Sequence, residues 1–321
     1  MDFVKKSSQS SVRCGIVLAG GEGKRLQSFI HQLRGDSLPK QYVRFIGNKS
    51  MLEHTFLRAE TLIPPDRLFT VVSQNHLKYQ EVLKQVSGRP KGTVILQPEN
   101  RETAPGILLP LMHLYKHYPE SVVVVFPSDH FIMENEIFMK HVDIACCTVE
   151  REPSQLVLLG VAPHGPETEY GYVVPKYSRN ESSFQRVSKV LRFIEKPEPP
   201  MAQNLVQRGA LWNTMVIAFK AKTLLGLVRK VIPSLYESFH RILKSLGTAW
   251  EADVVNEVYG KIKPVNFSSH LLEAVSLYYS SHLAVIPVYG VYWSDWGSEK
   301  RITKTLRDRL FIGNLTSKET A

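Results

Sequence analysis

The residues with the clearest chemical potential lie near the start of the chain, in the segment GIVLAGGEGKRLQSFIHQLRGDSLPKQ. A short apolar run is followed at once by Gly20, Gly21 and Gly23, and then by the cations Arg25 and Lys40. Glycines let the backbone turn sharply and let a ligand approach main-chain N–H groups closely. A strand, a glycine turn and nearby cations predict a cradle for an anionic ligand such as a polyphosphate. The alternative is an ordinary glycine turn flanked by solvated charges.

Two common phosphate motifs do not match this segment. A Walker A loop requires Gly-x-x-x-x-Gly-Lys-Ser/Thr, whereas Lys24 is followed here by Arg25. A dinucleotide fingerprint requires Gly-x-Gly-x-x-Gly, and although Gly21 and Gly23 match its start, Leu26 occupies the third glycine position.

Asp129 is a candidate magnesium ligand because it follows the apolar run 121–126. A carboxylate at the end of a buried strand is costly unless a cation or hydrogen-bond donors satisfy it. Magnesium is usually held by one or two carboxylates together with substrate phosphates. The alternative is an aspartate that caps the following turn. Asp295 lies between Trp293 and Trp296. On its own it is equally compatible with a metal ligand and with an aspartate in a turn before a helix.

The first half of the chain contains the elements that would position these groups. Apolar runs of strand length alternate there with helical patterns, among them a helix from Met51 with Ser50 and Glu53 as a capping box. Other helices are predicted to start at Asn75 and to span 104–118, the latter kinked at Pro110. Short connections between alternating strands and helices predict an α/β, Rossmann-like fold: a mixed, mostly parallel sheet with helices on both faces. Ligands bind at the carboxyl ends of the strands in such sheets.

The second half is more mixed, with hairpin character at 170–172, strands at 187–194, 211–219 and 283–287, and helices between them. A last helix is predicted from the cap Ser298 through Leu310. The chain is therefore predicted to form one domain over 12–310, with a disordered tail at 1–11 and a loose tail at 311–321.

The bulk composition excludes several function classes. The 321 residues are 43% hydrophobic and 22% charged, which is ordinary for a globular enzyme. The net charge of +10 is spread along the chain without clustered basic and aromatic residues, so no nucleic-acid partner is expected. No run of 18 apolar residues predicts a membrane span, and the start lacks the apolar centre of a signal peptide. Three cysteines without metal-binding spacing favour a cytoplasmic protein. A homo-oligomer is left open.

The pattern Leu-Ala-Gly-Gly-x-Gly-x-Arg-Leu at 18–26, followed by Pro-Lys-Gln at 39–41, resembles the opening of the sugar-phosphate nucleotidyltransferases. Gln41 makes it most similar to the mannose-1-phosphate guanylyltransferases. The resemblance implies a fold of the nucleotide-diphospho-sugar transferase type and Mg²⁺ as cofactor. It also implies small-molecule substrates: a nucleoside triphosphate, with GTP expected, and a sugar 1-phosphate, with mannose 1-phosphate expected. The products would be GDP-mannose and pyrophosphate.

The same resemblance implies roles for individual residues. Arg25, Lys40 and Lys196 would be catalytic. Asp129 in Pro-Ser-Asp-His and Asp295 in Trp-Ser-Asp-Trp-Gly would hold the metal. The nucleotide-binding residues would be Leu18, Ala19, Gly20, Gly21, Gly23, Arg101, Glu102 and Thr103, and the sugar-binding residues Gly171, Glu195 and Asn213.

Two positions depart from the family pattern. Glu102 stands where the family has Asn, although a carboxylate can accept the N1 and N2 donors of guanine. Met215 stands where the family has Gly, which puts close main-chain approach to the sugar in question. These departures motivate two alternatives, a catalytically silent regulatory homologue that binds a nucleotide sugar and an enzyme for another nucleotide and sugar pair. A glycosyltransferase of similar fold would show Asp-x-Asp, whereas Pro127 and Phe131 flank Asp129 at these positions.

Overall fold

The computed structural model describes residues 11–176 and 187–316 of the chain. The strands are β1 (Arg13–Ala19), β2 (Leu68–Ser73), β3 (Val94–Gln97), β4 (Val122–Pro127), β5 (Phe131–Ile132), β6 (Leu156–Val161), β7 (Gly171–Pro175), β8 (Ser188–Glu195), β9 (Leu211–Lys220), β10 (Leu283–Val288) and β11 (Trp293–Ser294). The helices are α1 (Gln27–Arg34), α2 (Met51–Ala59), α3 (Gln80–Ser87), α4 (Thr103–His117), α5 (Asn135–Arg151), α6 (Pro199–Gln207), α7 (Ala221–Val231), α8 (Pro233–Ser245), α9 (Glu251–Lys261), α10 (Glu273–Tyr278) and α11 (Glu299–Thr316).

A sheet with nine strands among the described residues forms the centre of the molecule, in the order β3-β2-β1-β4-β9-β6-β10-β8-β7. Strands β8 and β9 run against the direction that the other seven share. Strands β2, β4, β6 and β10 are buried at every position. Continuous burial is expected for strands covered on both faces. The predicted α/β fold with a mixed, mostly parallel sheet is confirmed.

Each face of the sheet carries its own apolar core. Helices α2 and α5 cover one face, with Phe56 and Val142 in its core. Helices α4, α7 and α8 cover the other, with Leu108 and Phe239 in its core. Because β1 to β4 are parallel, the loops after their carboxyl ends meet along one edge of the sheet.

Among the local predictions, the capping box of Ser50 and Glu53 is confirmed at the start of α2. Others need correction. Asn75 does not begin a helix, because a 3₁₀ segment spans Gln74–Lys78 and α3 follows from Gln80. Helix α4 spans Thr103–His117 and includes Pro110, and the kink there stays a prediction. A π-helical turn at Phe267–Leu272 and the pairing of β5 with β11 were not predicted.

The two predicted tails can be compared with the structure only in part, because most of their residues lie outside the described ranges. Helix α11 runs to Thr316 rather than ending at Leu310, so the tail predicted to start at 311 begins as helix. Residues 1–10 and 317–321 lie outside the described residues, and the division into one domain and two tails stays a prediction. Within the described ranges, no helix combines the length and the apolar character that crossing a membrane requires. The cytoplasmic location and the homo-oligomer also stay predictions.

Candidate active site

A pocket of about 510 Å³ lies at the carboxyl edge of β1 to β4. We call it the main pocket. The sequence-predicted residues that line it are Leu18, Gly20, Gly21, Gly23, Arg25, Lys40, Glu102, Thr103 and Asp129. The glycine loop with its cations and the metal candidate Asp129 were predicted on separate grounds, and the fold brings them to one cavity.

The glycine loop is held by side chains from two other elements. The Gln41 amide donates to the carbonyl oxygens of Ala19 and Gly21, both at 2.8 Å, and the Gln97 amide donates to that of Gly20 at 3.3 Å. A Cβ at Gly20 would lie 2.4 Å from Gln97 Nε2, so a larger residue here would displace the amide that holds the loop. Gly23 has a φ of +59°, in the left-handed region. Gln41 belongs to the sequence motif, but only the structure shows that its side chain holds the glycine loop in place.

Lys40 links the glycine loop to the far end of the chain. Its ammonium group donates to the carbonyl oxygens of Asp295 at 2.6 Å and Trp296 at 3.2 Å. It also forms an ion pair with Asp129 Oδ2 at 3.0 Å, and its side chain is only 7% exposed. Burial alone would raise the pKa of Asp129, but Lys40 and His130 outweigh it and hold that pKa below its usual value.

Asp295 is the most heavily hydrogen-bonded carboxylate of the site. Its Oδ1 atom accepts from the Tyr170 hydroxyl at 2.8 Å, from Gly297 N at 3.0 Å and from Arg301 Nη1 at 3.0 Å. Burial would raise the pKa of Asp295, but the charges of Lys40 and Arg301 outweigh it and lower the pKa. Asp295 therefore stays ionised, with its carboxylate directed to Arg301.

Arg25 is tied to the same ionic cluster. Its Nη1 atom lies 2.7 Å from Glu169 Oε1, and Arg301 contacts both Glu167, at 2.6 Å, and Glu169, at 3.0 Å. Glu167, Glu169 and Arg301 were not predicted, because they belong to no motif and Arg301 is far from the two glutamates in the sequence. In this arrangement Arg25 lines the main pocket while a carboxylate holds it from behind.

The pairing of β5 with β11 explains why Asp129 and Asp295 are neighbours. Strand β5 begins two residues after Asp129 and β11 ends one residue before Asp295, with Ser294 opposite Phe131. Both aspartates consequently flank Lys40.

The carboxylates around Lys40 fit a magnesium ion only in part. Among the described residues, no group of three or more His, Cys, Asp or Glu side chains could hold a metal. Magnesium does not need one, because one or two carboxylates and substrate phosphates suffice. Asp129 fits this role, since its side chain is 38% exposed and lines the main pocket. Asp295 does not line that pocket and shares its carboxylate with Arg301.

The predicted sugar-side residues lie on β7 to β9, and none of them lines the main pocket. Gly171 stands opposite Glu195, and a Cβ at Gly171 would lie 2.6 Å from the Glu195 carboxylate. Burial raises the pKa of Glu195 to about 7; Lys196 opposes this rise and Glu273 adds to it. Lys196 is exposed.

Asn213 and Met215 connect this region to the main pocket. Asn213 is buried, and its Oδ1 atom accepts from Met215 N at 3.1 Å. Met215 lines the main pocket, with a φ of +57° and with the Ser268 hydroxyl 3.2 Å from its sulfur. The left-handed backbone explains why the family pattern has glycine at this position.

The loop at 97–104 is held by a segment that the sequence did not connect with it. Arg101 does not line the pocket; its Nη2 atom donates to Glu99 at 2.6 Å. The Thr103 hydroxyl accepts from Phe267 N at 2.8 Å, and Asn266 Nδ2 donates to Glu102 at 3.5 Å. Glu102 has φ +70° and ψ −174°, a conformation that residues other than glycine rarely adopt.

Backbone strain is concentrated at the site. In the described ranges, the non-glycine residues with positive φ are Glu102, Lys196, Met215 and Trp296. Such conformations cost on the order of 1–3 kcal/mol each and persist where the surroundings over-determine them. Two of the four line the main pocket, Trp296 precedes Gly297, and Lys196 follows Glu195.

Comparisons with known proteins bear on the family to which the chain belongs. The chain matches the model of the nucleotidyl transferase family over residues 14–309. It is 30% identical over 224 residues to a mannose-1-phosphate guanylyltransferase of Klebsiella pneumoniae, covering 70% of this chain and 46% of that protein. It is 27% identical over 287 residues to the xanthan biosynthesis protein XanB of Xanthomonas campestris, covering 88% of this chain and 57% of that protein.

The structural comparison covers a similar share of the chain. A crystal structure described as a mannose-1-phosphate geranyltransferase from Thermus thermophilus is 27% identical with a TM-score of 0.73, covering 89% of this chain and 76% of that one. The chain spans about half the length of the curated relatives it matches.

Proposed function

The chain belongs to the nucleotidyl transferase family, and from this premise we propose that it joins GTP and mannose 1-phosphate to give GDP-mannose and pyrophosphate. The observation that carries the proposal is one pocket that combines the glycine loop, Arg25, Lys40 and the carboxylate of Asp129. Such a pocket suits a triphosphate, because main-chain N–H groups and cations cradle the phosphates while the carboxylate can share a cation with them.

The reaction requires no covalent intermediate. A phosphate oxygen of the sugar 1-phosphate attacks the α-phosphorus of the triphosphate, forming one P–O bond. The bond to the bridging oxygen of the β-phosphate breaks, and its electron pair leaves with pyrophosphate. The attacking phosphate is already an anion, so no general base is needed. Positioning and neutralisation of charge therefore supply the catalysis.

Arg25 and Lys40 would stabilise the triphosphate and the departing pyrophosphate. Lys40 is anchored by two carbonyl oxygens and Asp129, so its charge is placed before the substrate binds. Lys196, exposed beside Glu195, would hold the attacking phosphate.

Asp129 would hold a magnesium ion together with substrate phosphates, and Asp295 would be a second ligand only if it shared its carboxylate with Arg301. When bound, the ion would neutralise charge on the reacting phosphates.

Base and sugar selection would come from different parts of the site. Glu102 is exposed at the start of α4 and lines the main pocket, where its carboxylate can accept the N–H donors of guanine. Glu195 and Asn213 would accept hydrogen bonds from sugar hydroxyls. The name of the Klebsiella pneumoniae relative, at 30% identity, supports the mannose and guanine assignment without testing it.

The test is a matrix of nucleoside triphosphates against sugar 1-phosphates, followed by pyrophosphate release. We expect GTP with mannose 1-phosphate to give the highest kcat/KM. A higher value with UTP, dTTP or CTP would refute the guanylyl assignment and leave the class of reaction intact.

The magnesium proposal has its own test. We expect EDTA to abolish pyrophosphate release and added Mg²⁺ to restore it. A rate that persists after chelation and dialysis would contradict the proposal.

A second candidate is a catalytically silent homologue that binds a nucleotide sugar. Met215 and Glu102 in the pocket wall favour it, since both stand where the family pattern has another residue. Binding of GDP-mannose without pyrophosphate release in any cell of the matrix would establish this candidate.

A further inference from the structure

A second cavity, of about 120 Å³, lies behind the main pocket and is lined by residues of α2, the start of α5 and the β5 region. We call it the Arg58 cavity. Its polar lining includes Lys49, Arg58, His130 and Asn135, and Phe131 and Trp296 are among its apolar walls. Within the described part of the chain, no Asp or Glu side chain lines it. The cavity has room for several water molecules or for one tetrahedral oxyanion.

Arg58 is the unusual residue of this cavity. It is only 5% exposed, and its Nε atom is buried without a hydrogen-bond partner. No ion pair joins its guanidinium to any residue in the described ranges. Burial lowers the pKa of Arg58 to about 10, and no neighbouring carboxylate opposes this. A buried charge without a partner is strongly destabilising, so the arrangement calls for a counter-ion.

Two further features favour an anion in the same place. Lys49 adds a second cation to the wall. Asn135 is the first residue of α5, a 17-residue helix whose N-terminus carries partial positive charge. The carboxylate before it, Glu134, is directed away, since its Oε2 atom accepts from Tyr292 N at 2.7 Å.

We propose that the Arg58 cavity binds a small doubly charged oxyanion of the phosphate type, with the Arg58 guanidinium as its main partner. A guanidinium presents planar paired donors that match phosphate oxygens. Lys49 and the N-terminus of α5 complete the site.

A bound anion would affect the main pocket through two residues of the cavity wall, His130, which also lines the main pocket, and Trp296, which contacts Lys40. His130 Nε2 lies 3.6 Å from Asp129 Oδ1, and the carbonyl oxygen of Trp296 accepts from Lys40 at 3.2 Å. Binding in the cavity does not depend on the proposed function, whereas an effect on turnover rests on it.

The test is thermal unfolding with increasing inorganic phosphate at constant ionic strength, with chloride as the reference and sulfate as a second oxyanion. For the wild-type protein we expect a saturable rise in Tm of a few degrees. Arg58→Met should lose this rise. Without phosphate it should unfold at the same or a higher temperature than the wild type, because it removes a buried unpaired charge. Arg208→Met, which removes an exposed arginine at the end of α6, is the matched control and should keep the full response.

Phosphate can also enter the main pocket, so the series is repeated in Arg25→Met. A rise that persists in Arg25→Met and disappears in Arg58→Met belongs to the Arg58 cavity. Loss of the rise in Arg25→Met, or equal rises in the wild type and Arg58→Met, would overturn the proposal.

If Arg58→Met fails to fold, Arg58→Lys keeps the charge but loses the paired donors, and the half-saturating phosphate concentration should increase at least threefold. An unchanged midpoint in Arg58→Lys would also overturn it. If sulfate raises the Tm as phosphate does, the cavity binds oxyanions in general. If only phosphate raises the Tm, the cavity is specific for phosphate.

Discussion

The glycine-loop side of the molecule and the β7–β9 side present different groups to a ligand. The glycine loop offers main-chain groups from one short stretch, held by the amides of Gln41 and Gln97. The β7–β9 side offers the side chains of Glu195 and Asn213 from two strands that each pair antiparallel with β7. A Cβ at Gly20 would displace the Gln97 amide, which holds the loop.

The β7–β9 side carries a side chain at a strained backbone position. Met215 occupies a left-handed position and still packs against Ser268, so a side chain has been accommodated where the main chain alone would suffice. From this contrast we infer a division of roles. The glycine-loop side, the phosphate side of the proposed site, would determine whether the reaction occurs. The β7–β9 side, its sugar side, would determine which substrate is used. The following experiments, from the largest expected effect to the smallest, test that division.

Removing the carboxylates around Lys40 should have the largest effect. We expect Asp129→Asn and Asp295→Asn each to lower kcat by about 10³-fold or more, and the double variant to be little worse, because groups that act as a unit are not additive. Steady-state kinetics across a Mg²⁺ titration separates the roles. A metal ligand shifts the half-maximal Mg²⁺ concentration, whereas an unchanged midpoint for Asp295→Asn would restrict Asp295 to positioning Lys40 and Arg301.

Arg25→Ala should lower kcat/KM by at least about 10²-fold with the fold intact, as for loss of a preorganised charge donor. Lys24→Ala is the neighbouring control, because Lys24 is 78% exposed and pairs with Glu22 at the surface. Its loss should be less than about fivefold. Equal losses in the two variants would mean that only the overall charge of the loop matters.

Met215 offers a matched pair of variants on the sugar side. Met215→Ala keeps the left-handed strain without the packing, whereas Met215→Gly removes both. We expect Met215→Gly to be more stable than Met215→Ala by about 1 kcal/mol in urea unfolding. We also expect it to change the KM for the sugar phosphate by up to about 10-fold, with the KM for GTP altered less. Equal changes in both KM values would contradict the division between the two sides.

Glu195 should give the smallest effect on the kinetics, visible as a pH dependence. Its pKa is about 7 in the folded protein and 4.5 ordinarily, so its contribution to stability is full below pH 4.5 and is lost as the pH rises through 7. Glu195→Gln does not titrate, so its stability relative to the wild type should increase across that window by up to about 3 kcal/mol. The KM for the sugar phosphate should rise a few-fold below pH 7 in the wild type only. A Glu195→Gln difference that is flat with pH would show that Glu195 does not titrate in this range.

Much of the fold followed from local patterns in the sequence. Buried strands such as β4 and β10, and the capping box at Ser50, were predicted because burial on both faces and N-capping leave a signature in a few adjacent residues. The π-helical turn at Phe267–Leu272 has no comparable pattern and was missed, although it holds the loop at Thr103.

The sequence by itself determined the glycine loop, its cations and the family, because phosphate recognition by main chain needs specific residues at fixed, short spacing. The tertiary structure alone decided how the distant groups meet. The pairing of β5 with β11 brings Asp295 to Lys40 and Asp129, and Arg301 then engages the Asp295 carboxylate while Glu169 engages Arg25. Such contacts join residues far apart in the chain, so no local spacing encodes them.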